Sequence, residues 1–292
     1  MPLEQLNNID IFYQILGSEN TETVLLVSGL GSQMTSWSES FCQELVQKGF
    51  RVIRFDNRDS GCSSFIENEA KNVGELIQFL QQGKFPKGAY SLLDIAKDAL
   101  ALLDFLKIEK AHIFGRSMGG IIVQLMASEF PERVLSATII MSTSLRPDLP
   151  QAQPDVMQMM LSPMPDFNKE PQAFLEKRLT FIKAISGTFS IDEKAETEII
   201  NKEKQRAPSA NILGQICAMT ITGFDVKRLE KINAPSLVVH GTEDPIFPLA
   251  CGEDISNAIP HSTLLKIEGM GHSIPTVLNE KIIQAFLKMN NN

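Results

Sequence analysis

The segment Gly115-Arg116-Ser117-Met118-Gly119 places a hydroxyl between two glycines, where an apolar strand-like run (111–115) gives way to a helix-like run (117–130). A serine in that context fits a G-x-S-x-G nucleophile elbow. The need for glycine is steric. A nucleophile held in a sharp strand-to-helix turn brings the residues two positions away on either side against neighbouring backbone. The turn also sets Ser117 at a helix N-terminus, where the Met118 N–H can face a developing oxyanion. The competing reading is a glycine-rich joint that happens to contain a serine.

A serine hydroxyl is a weak nucleophile at neutral pH and needs a base. Four histidines are available. His112 opens the strand leading to Ser117, and His261 precedes a later strand, so both belong to the opposite end of the sheet. His240 ends a strand beside Gly241 and is expected to pack or bond locally. His272, in "EGMGHSIP" directly after the last strand, can hang over the sheet edge and is the expected base. In "VVHGTEDPIFP", Asp244 lies just past the preceding strand, with Pro245 and Pro248 stiffening the loop, and is the expected orienting acid. Glu243 remains an alternative and Asp148 a more distant one. The order Ser117, Asp244, His272 is the one that accompanies such an elbow. A second oxyanion donor is expected from Gly29-Leu30-Gly31, as the Leu30 N–H or alternatively that of Gly31; a plain glycine turn is the competing reading.

Those residues need a scaffold, and the chain carries its pattern. Runs rich in Val, Ile and Leu at 23–29, 51–56, 111–115, 134–142, 236–241 and 263–269 read as strands, several apolar on both faces. Residues 9–17 read as a further strand, antiparallel to the rest. Between the runs, segments at 36–49, 91–108, 117–130 and 276–289 have helical spacing. Such alternation predicts an open α/β sheet. It breaks near residue 146, where proline clusters precede helical stretches near 170–185, 192–206 and 209–222. The expected organisation is a core over 1–145, a helical lid over 146–222 and the rest of the core over 223–292, with the lid above the carboxyl edge of the sheet.

Composition narrows the function. The chain has 292 residues, 43% hydrophobic and 21% charged, with a formal net charge of −8. No basic block exists to hold phosphates, so nucleic acid is not an expected partner. Cys42, Cys62, Cys217 and Cys251 are scattered, which argues against a zinc site or a disulfide framework and for free thiols in a reducing compartment. The N-terminus lacks a basic start followed by a long apolar region, and no stretch has the length to span a bilayer. A cytoplasmic protein is expected. Asp56, Arg58 and Asp59 are expected to form a structural loop whose arginine pairs with its own acids, and Arg116 to point away from the pocket. The methionines of "DVMQMMLSPMP", with Met118, Met141, Met219 and Met270, either fill helical cores or line an apolar pocket.

Taken together, "RVIRFDNRDSGCSS", "GRSMGG" and "EGMGHSIP" make the chain resemble the α/β-hydrolase superfamily over nearly all its length outside the lid. Within it, they look like the branch of aclacinomycin methylesterase and related serine esterases. The resemblance implies a mostly parallel eight-stranded sheet and hydrolysis of a carboxylic ester or lactone with no cofactor. With flanking helices, the helical lid read above, inserted before the last two strands, and no metal site, this is the α/β-hydrolase fold expected. By matched motif, it implies Ser117 as nucleophile, Asp244 as orienting acid, His272 as base, and the Leu30 and Met118 amides as oxyanion donors. One position departs: many members carry histidine before the oxyanion glycine, whereas this chain has Ser28, which bears on how the loop is anchored. The expected partner is a small, partly apolar ester or lactone, with the protein a monomer or homodimer. Other outcomes on the same residues are carbon–carbon bond hydrolysis, enol-lactone opening, perhydrolysis, or ligand binding without catalysis.

Overall fold

Eight strands form one sheet in the order β1-β2-β4-β3-β5-β6-β7-β8 in a computed structural model that describes residues 2–207 and 211–291. The strands are β1 (Leu3–Leu6), β2 (Ile9–Leu16), β3 (Glu22–Val27), β4 (Phe50–Phe55), β5 (Ala111–Arg116), β6 (Val134–Ile140), β7 (Ser236–Gly241) and β8 (Ser262–Ile267). β2 runs antiparallel to both its neighbours, and every pairing from β4 to β8 is parallel. The sheet is therefore mostly parallel, as expected. The eighth strand that the resemblance implied is β1, which the apolar pattern did not locate. It is four residues long, alternates exposed and half-buried positions with Leu3 about half exposed, and so offers no buried apolar run to read.

The continuous apolar runs are explained by two cores. On β3, Leu25 and Val27 enter one hydrophobic cluster while Val24 and Leu26 enter the other. Ile113 and Phe114 of β5 divide the same way, as do Val238 and its neighbours Leu237 and Val239 of β7. Successive side chains point to opposite faces of a strand, so a sheet covered on both sides needs apolar residues at every position. One face is covered by α3 (Leu92–Phe105), α4 (Met118–Glu129) and α10 (Leu249–Ala258), the other by α1 (Glu39–Gln47) and α11 (Asn279–Asn290). α4 is buried along nearly its whole length, because the central β5-α4 unit lies between its neighbours. α2 (Val73–Gln81) packs to one side under a small cluster of its own.

Between β6 and β7 the alternation is replaced by α5 (Pro154–Leu161), α6 (Pro171–Ile185), α7 (Glu193–Arg206), α8 (Ile212–Thr222) and the short α9 (Val226–Glu230). α6 and α7 lie where helices were expected. The third expected stretch starts at Ile212, while residues 209 and 210 of it lie outside the described residues. α5 begins on Pro154 inside a proline-rich stretch; proline is tolerated at the first helical position, where its missing N–H has no intrahelical partner anyway. These helices bond to loops at the carboxyl ends of four strands. The partners are Glu203 to Gln33 and Thr35 after β3, Arg206 to Asp56 after β4, Gln153 to Pro245 after β7, and Ile185 to His272 after β8.

The loop after β4 differs from expectation. Arg58 pairs with neither Asp56 nor Asp59. Its Nε and Nη2 donate to the two oxygens of Asp98 on α3, each at 2.7 Å, with both side chains buried. Burial works against the Arg58 charge, yet the Asp98 carboxylate outweighs it and holds the guanidinium pKa above its ordinary value. Asp56 accepts the Met34 and Cys62 amides at 2.8 and 2.9 Å and meets Arg206. Asp59 accepts the Ile66 amide at 2.7 Å and the Tyr90 hydroxyl at 2.6 Å. The four cysteines are free, as expected. Burial pushes the Cys42 and Cys251 thiols up to about 11, which leaves them protonated at neutral pH. Among the described residues no helix is long and apolar enough to cross a membrane.

Removing one partner of a buried ion pair strands the other charge, whereas an exposed pair is screened. Asp98→Ala is therefore expected to cost about 3–5 kcal/mol of folding stability in urea melts. Asp104→Ala, which breaks the exposed pair with Arg133, should cost no more than about 1 kcal/mol. Equal losses in the two variants would contradict the assignment of the Arg58–Asp98 pair as the internal tie of the loop.

Candidate active site

Ser117 stands between β5 and α4 with φ 55° and ψ −125°, a left-handed backbone that a residue with a side chain rarely adopts. Close packing around it explains why the turn holds. A Cβ at Gly115 would lie 2.1 Å from the Gly119 carbonyl oxygen, and one at Gly119 would lie 2.3 Å from that of Val27. Only with both side chains absent can the helix start this near the strands. The turn is tied on three sides: Ser117 N–H donates to Ile140 O at 2.9 Å, and Ser117 O accepts from Gly120 N–H at 2.9 Å and from the Ser142 hydroxyl at 2.8 Å. The Ser142 contact was not legible in the sequence, since it depends on the residue just past β6.

Asp244 and His272 reach the same edge from the loops after β7 and β8. The Ser117 hydroxyl donates to His272 Nε2 at 2.9 Å, and His272 Nδ1–H donates to Asp244 Oδ2 at 2.8 Å. This proton assignment follows from the carboxylate, which can only accept. The other Asp244 oxygen accepts the Ile246 and Phe247 amides at 2.8 and 2.9 Å, fixing the carboxylate plane. Glu243 is exposed, and its backbone N–H bonds to Met270 O at 3.1 Å. Asp148 is exposed 3.9 Å from Arg146. Of the three candidate acids, Asp244 is the one in contact with the imidazole.

The His272 loop is seated on the carboxyl end of α6. His272 N–H donates to Ile185 O at 2.6 Å, Thr188 N–H donates to Gly269 O at 2.9 Å, and Gly187 bridges to Met270. Gly271 permits this approach: a Cβ there would lie 2.1 Å from Ile185 O. The Phe247 ring packs edge-on against the imidazole, with centroids 5.6 Å apart. Ile246 and Val156 extend that apolar wall to α5. Met118, Met141 and Met270 are fully buried core residues, Met219 is packed at the edge of the core, and Met164 is largely exposed.

The turn after β3 presents the candidate oxyanion amides. Gly29 packs on the nucleophile turn, for a Cβ there would lie 3.2 Å from Ser117 Cβ. The Ser28 hydroxyl donates to Gln33 O and accepts from the Ser36 hydroxyl, each at 3.3 Å, while its carbonyl accepts Asn57 Nδ2 at 3.0 Å. Gly31 N–H donates to Oε1 of Gln215, on α8, at 2.7 Å. Gln215 was missed at the sequence level; its signal is a single amide in the otherwise apolar stretch "ILGQICAM". Arg116 extends towards α7, donating to Ser36 O at 2.8 Å and facing Glu203 and Glu196.

The remaining histidines lie elsewhere. His112 bridges Ser136 Oγ at 2.7 Å and Glu22 Oε1 at 2.8 Å at the amino end of the sheet. His240 is fully buried, with its Nε2 2.6 Å from Phe247 O and 3.6 Å from Asp244 Oδ2. His261 is exposed, ahead of β8. Among the described residues no cluster of His, Cys, Asp and Glu is arranged to hold a metal ion.

A strand–turn–helix serine joined to a histidine and an acid from the last two strand ends is a hydrolase architecture. The chain belongs to the family described by the alpha/beta hydrolase fold, which matches residues 22–275. It is similar to rhodomycin D methylesterase DnrP of Streptomyces peucetius, with 26% identity over 98% of this chain and 97% of the relative. It is also similar to 3-oxoadipate enol-lactonase 2 of Acinetobacter baylyi, with 26% identity over 89% of this chain and 86% of the relative. Among solved structures, it shares the fold of the meta-cleavage product hydrolase of Pseudomonas fluorescens IP01, with a TM-score of 0.74, 17% identity, and coverage of 100% and 97% of the two chains.

Burial holds the imidazoles of His112 and His240 below the ordinary histidine value, opposed by Glu22 at the first and Asp244 at the second. The unfolded chain then takes up protons first on acidification. This contribution to stability is intact above about pH 6.5 and erodes as pH falls towards the depressed native values. Urea midpoints should be level near neutral pH and decline below it, with a shallower decline in His112→Asn. A midpoint that rises on acidification from neutral pH would contradict the buried neutral state of both rings.

Proposed function

We propose that this chain is a serine hydrolase that cleaves a carboxylic ester or lactone through an acyl-enzyme. The observation that carries the reading is the continuous run from the Ser117 hydroxyl to His272 at 2.9 Å and from His272 to Asp244 at 2.8 Å. Ser117 Oγ attacks the carbonyl carbon as its proton passes to His272 Nε2. The Asp244 carboxylate holds the ring in the tautomer that accepts this proton and stabilises the imidazolium. The negative oxygen of the tetrahedral species accepts from the Leu30 and Met118 amides, the latter at the start of α4. Collapse expels the alkoxide, which takes the proton from His272. Water then gives a proton to His272 and attacks the acyl carbon. The second collapse returns the proton to Ser117 and releases the acid. In a lactone the acyl and alcohol ends leave as one hydroxy acid.

The apolar wall of Phe247, Ile246 and Val156 supports a small-molecule substrate with an apolar portion. The methylesterase and enol-lactonase named among the relatives support methyl esters and lactones as first classes to assay. In this reading residues 146–222 form the lid, the chemistry requires no cofactor or metal, and the free thiols fit a cytoplasmic location.

Ser117→Ala should lower turnover of p-nitrophenyl and methyl esters by at least about 10³-fold while leaving the thermal transition unchanged. A fluorophosphonate should label the native chain and not the variant. Turnover in the variant within tenfold of the native chain would remove Ser117 from the chemistry. A native chain inert to both esters and phosphonate would instead make the fold a ligand-binding one.

A further inference from the structure

Gln215 is fully buried on α8, and its amide is divided between two loops that follow adjacent strands. Oε1 accepts Gly31 N–H at 2.7 Å, while Nε2 donates to Arg58 O at 2.8 Å and to Ser60 Oγ at 3.0 Å. Both roles are needed at once, and an amide can accept from one loop through its oxygen while its NH₂ donates twice to the other. The preceding residue makes the approach possible. A Cβ at Gly214 would fall 2.3 Å from Asp59 Oδ2 and 3.1 Å from the Tyr90 hydroxyl, the buried pair that shapes the second loop. α8 is also held at both ends, by Asn211 N–H to Asp59 O at 2.9 Å and by Leu92 N–H to Thr222 Oγ1 at 2.9 Å.

The consequence falls on the turn beside the nucleophile. Gly31 N–H is committed to Gln215, whereas Leu30 N–H donates to no protein acceptor among the described residues. Gly29, Leu30 and Gly31 share one short turn packed against Ser117, so a bond that pins Gly31 fixes the direction of the Leu30 amide. Ser28, at the position where the family resemblance leads one to expect histidine, makes two long side-chain contacts, donating to Gln33 O and accepting from the Ser36 hydroxyl, each at 3.3 Å. We infer that Gln215 is a positioning residue: from the segment between β6 and β7 it locks the Gly29–Gly31 turn so that Leu30, and not Gly31, gives its amide to the reacting oxygen. This inference rests on the serine-hydrolase reading.

Oxyanion donors act through placement, and loss of one typically costs about 10²–10³ in kcat. Gln215→Leu releases the turn without removing the donor, so kcat per active site, with sites counted by fluorophosphonate titration, should fall about 10- to 100-fold. KM should change by less than about threefold, because the interaction matters at the tetrahedral stage and not in substrate binding. Gly214→Ala, which pushes α8 off the loops, should show the same split. A merely structural role would lower the titratable fraction and leave kcat per site unchanged, and that result overturns the inference.

The native chain supplies a test that does not depend on the variants folding. In a crystal of its phosphonate adduct, the phosphoryl oxygen should meet the Leu30 and Met118 amides while Gly31 stays on Gln215. A phosphoryl oxygen bonded to Gly31 N–H overturns the assignment. If the native chain neither turns over esters nor accepts phosphonate, the hydrolase reading fails and this inference fails with it. If the native chain is active and Gln215→Leu keeps full kcat per site, the inference alone fails.

Discussion

The site depends on one steric condition, that α4 begins within contact of the strands beside it. Ser117 can hold φ 55° only because the chain on either side is packed tightly enough to forbid relaxation. Gly115 and Gly119 supply the room, and the Ile140, Gly120 and Ser142 bonds close the turn. Burial of α4 on almost every side prevents the helix from sliding away to relieve the strain. The hydroxyl is thereby presented at the sheet edge, where Asp244 and His272 arrive from strands that pair in parallel two and three places along.

Around that fixed point, polar side chains couple loops that are distant in sequence. Arg58 ties the loop after β4 to α3, Asp56 ties it to the first turn after β3 and to α7, and Gln215 ties both loops to α8. These bonds are buried or part-buried, where an unmade partner is costly, so the connections act together more than as separate surface contacts. The helices between β6 and β7 are part of this wiring. They supply acceptors and donors to the loops around Ser117, Asp244 and His272 in addition to apolar cover.

The sheet was legible because its strands are apolar at successive positions, as at Val24 to Val27 and Ile113-Phe114, and several end at glycine. β1 was illegible for the opposite reason, being short, exposed and stabilised by pairing alone. Residues 117, 244 and 272 could be singled out because each follows a strand at the same edge, a property of chain order. Partners chosen by the tertiary fold could not be read. Arg58 has acids at 56 and 59 yet finds Asp98, forty positions away on a helix that happens to pass behind the loop. Likewise, the partner of the Gly31 amide could not be read, because it is a side chain on α8, 184 residues further along.

The amide of residue 272 bonds to the last carbonyl of α6, and strand-like bridging at 187 and 270 reinforces the seam. Lifting that end of α6 would unhook the backbone beneath the imidazole. On the proposed hydrolase reading, a substrate that reaches Ser117 with the base still in place therefore does so with 185–189 stitched down. A conformer parted at the seam would, by the same movement, loosen the hold on the ring that meets the Ser117 hydroxyl.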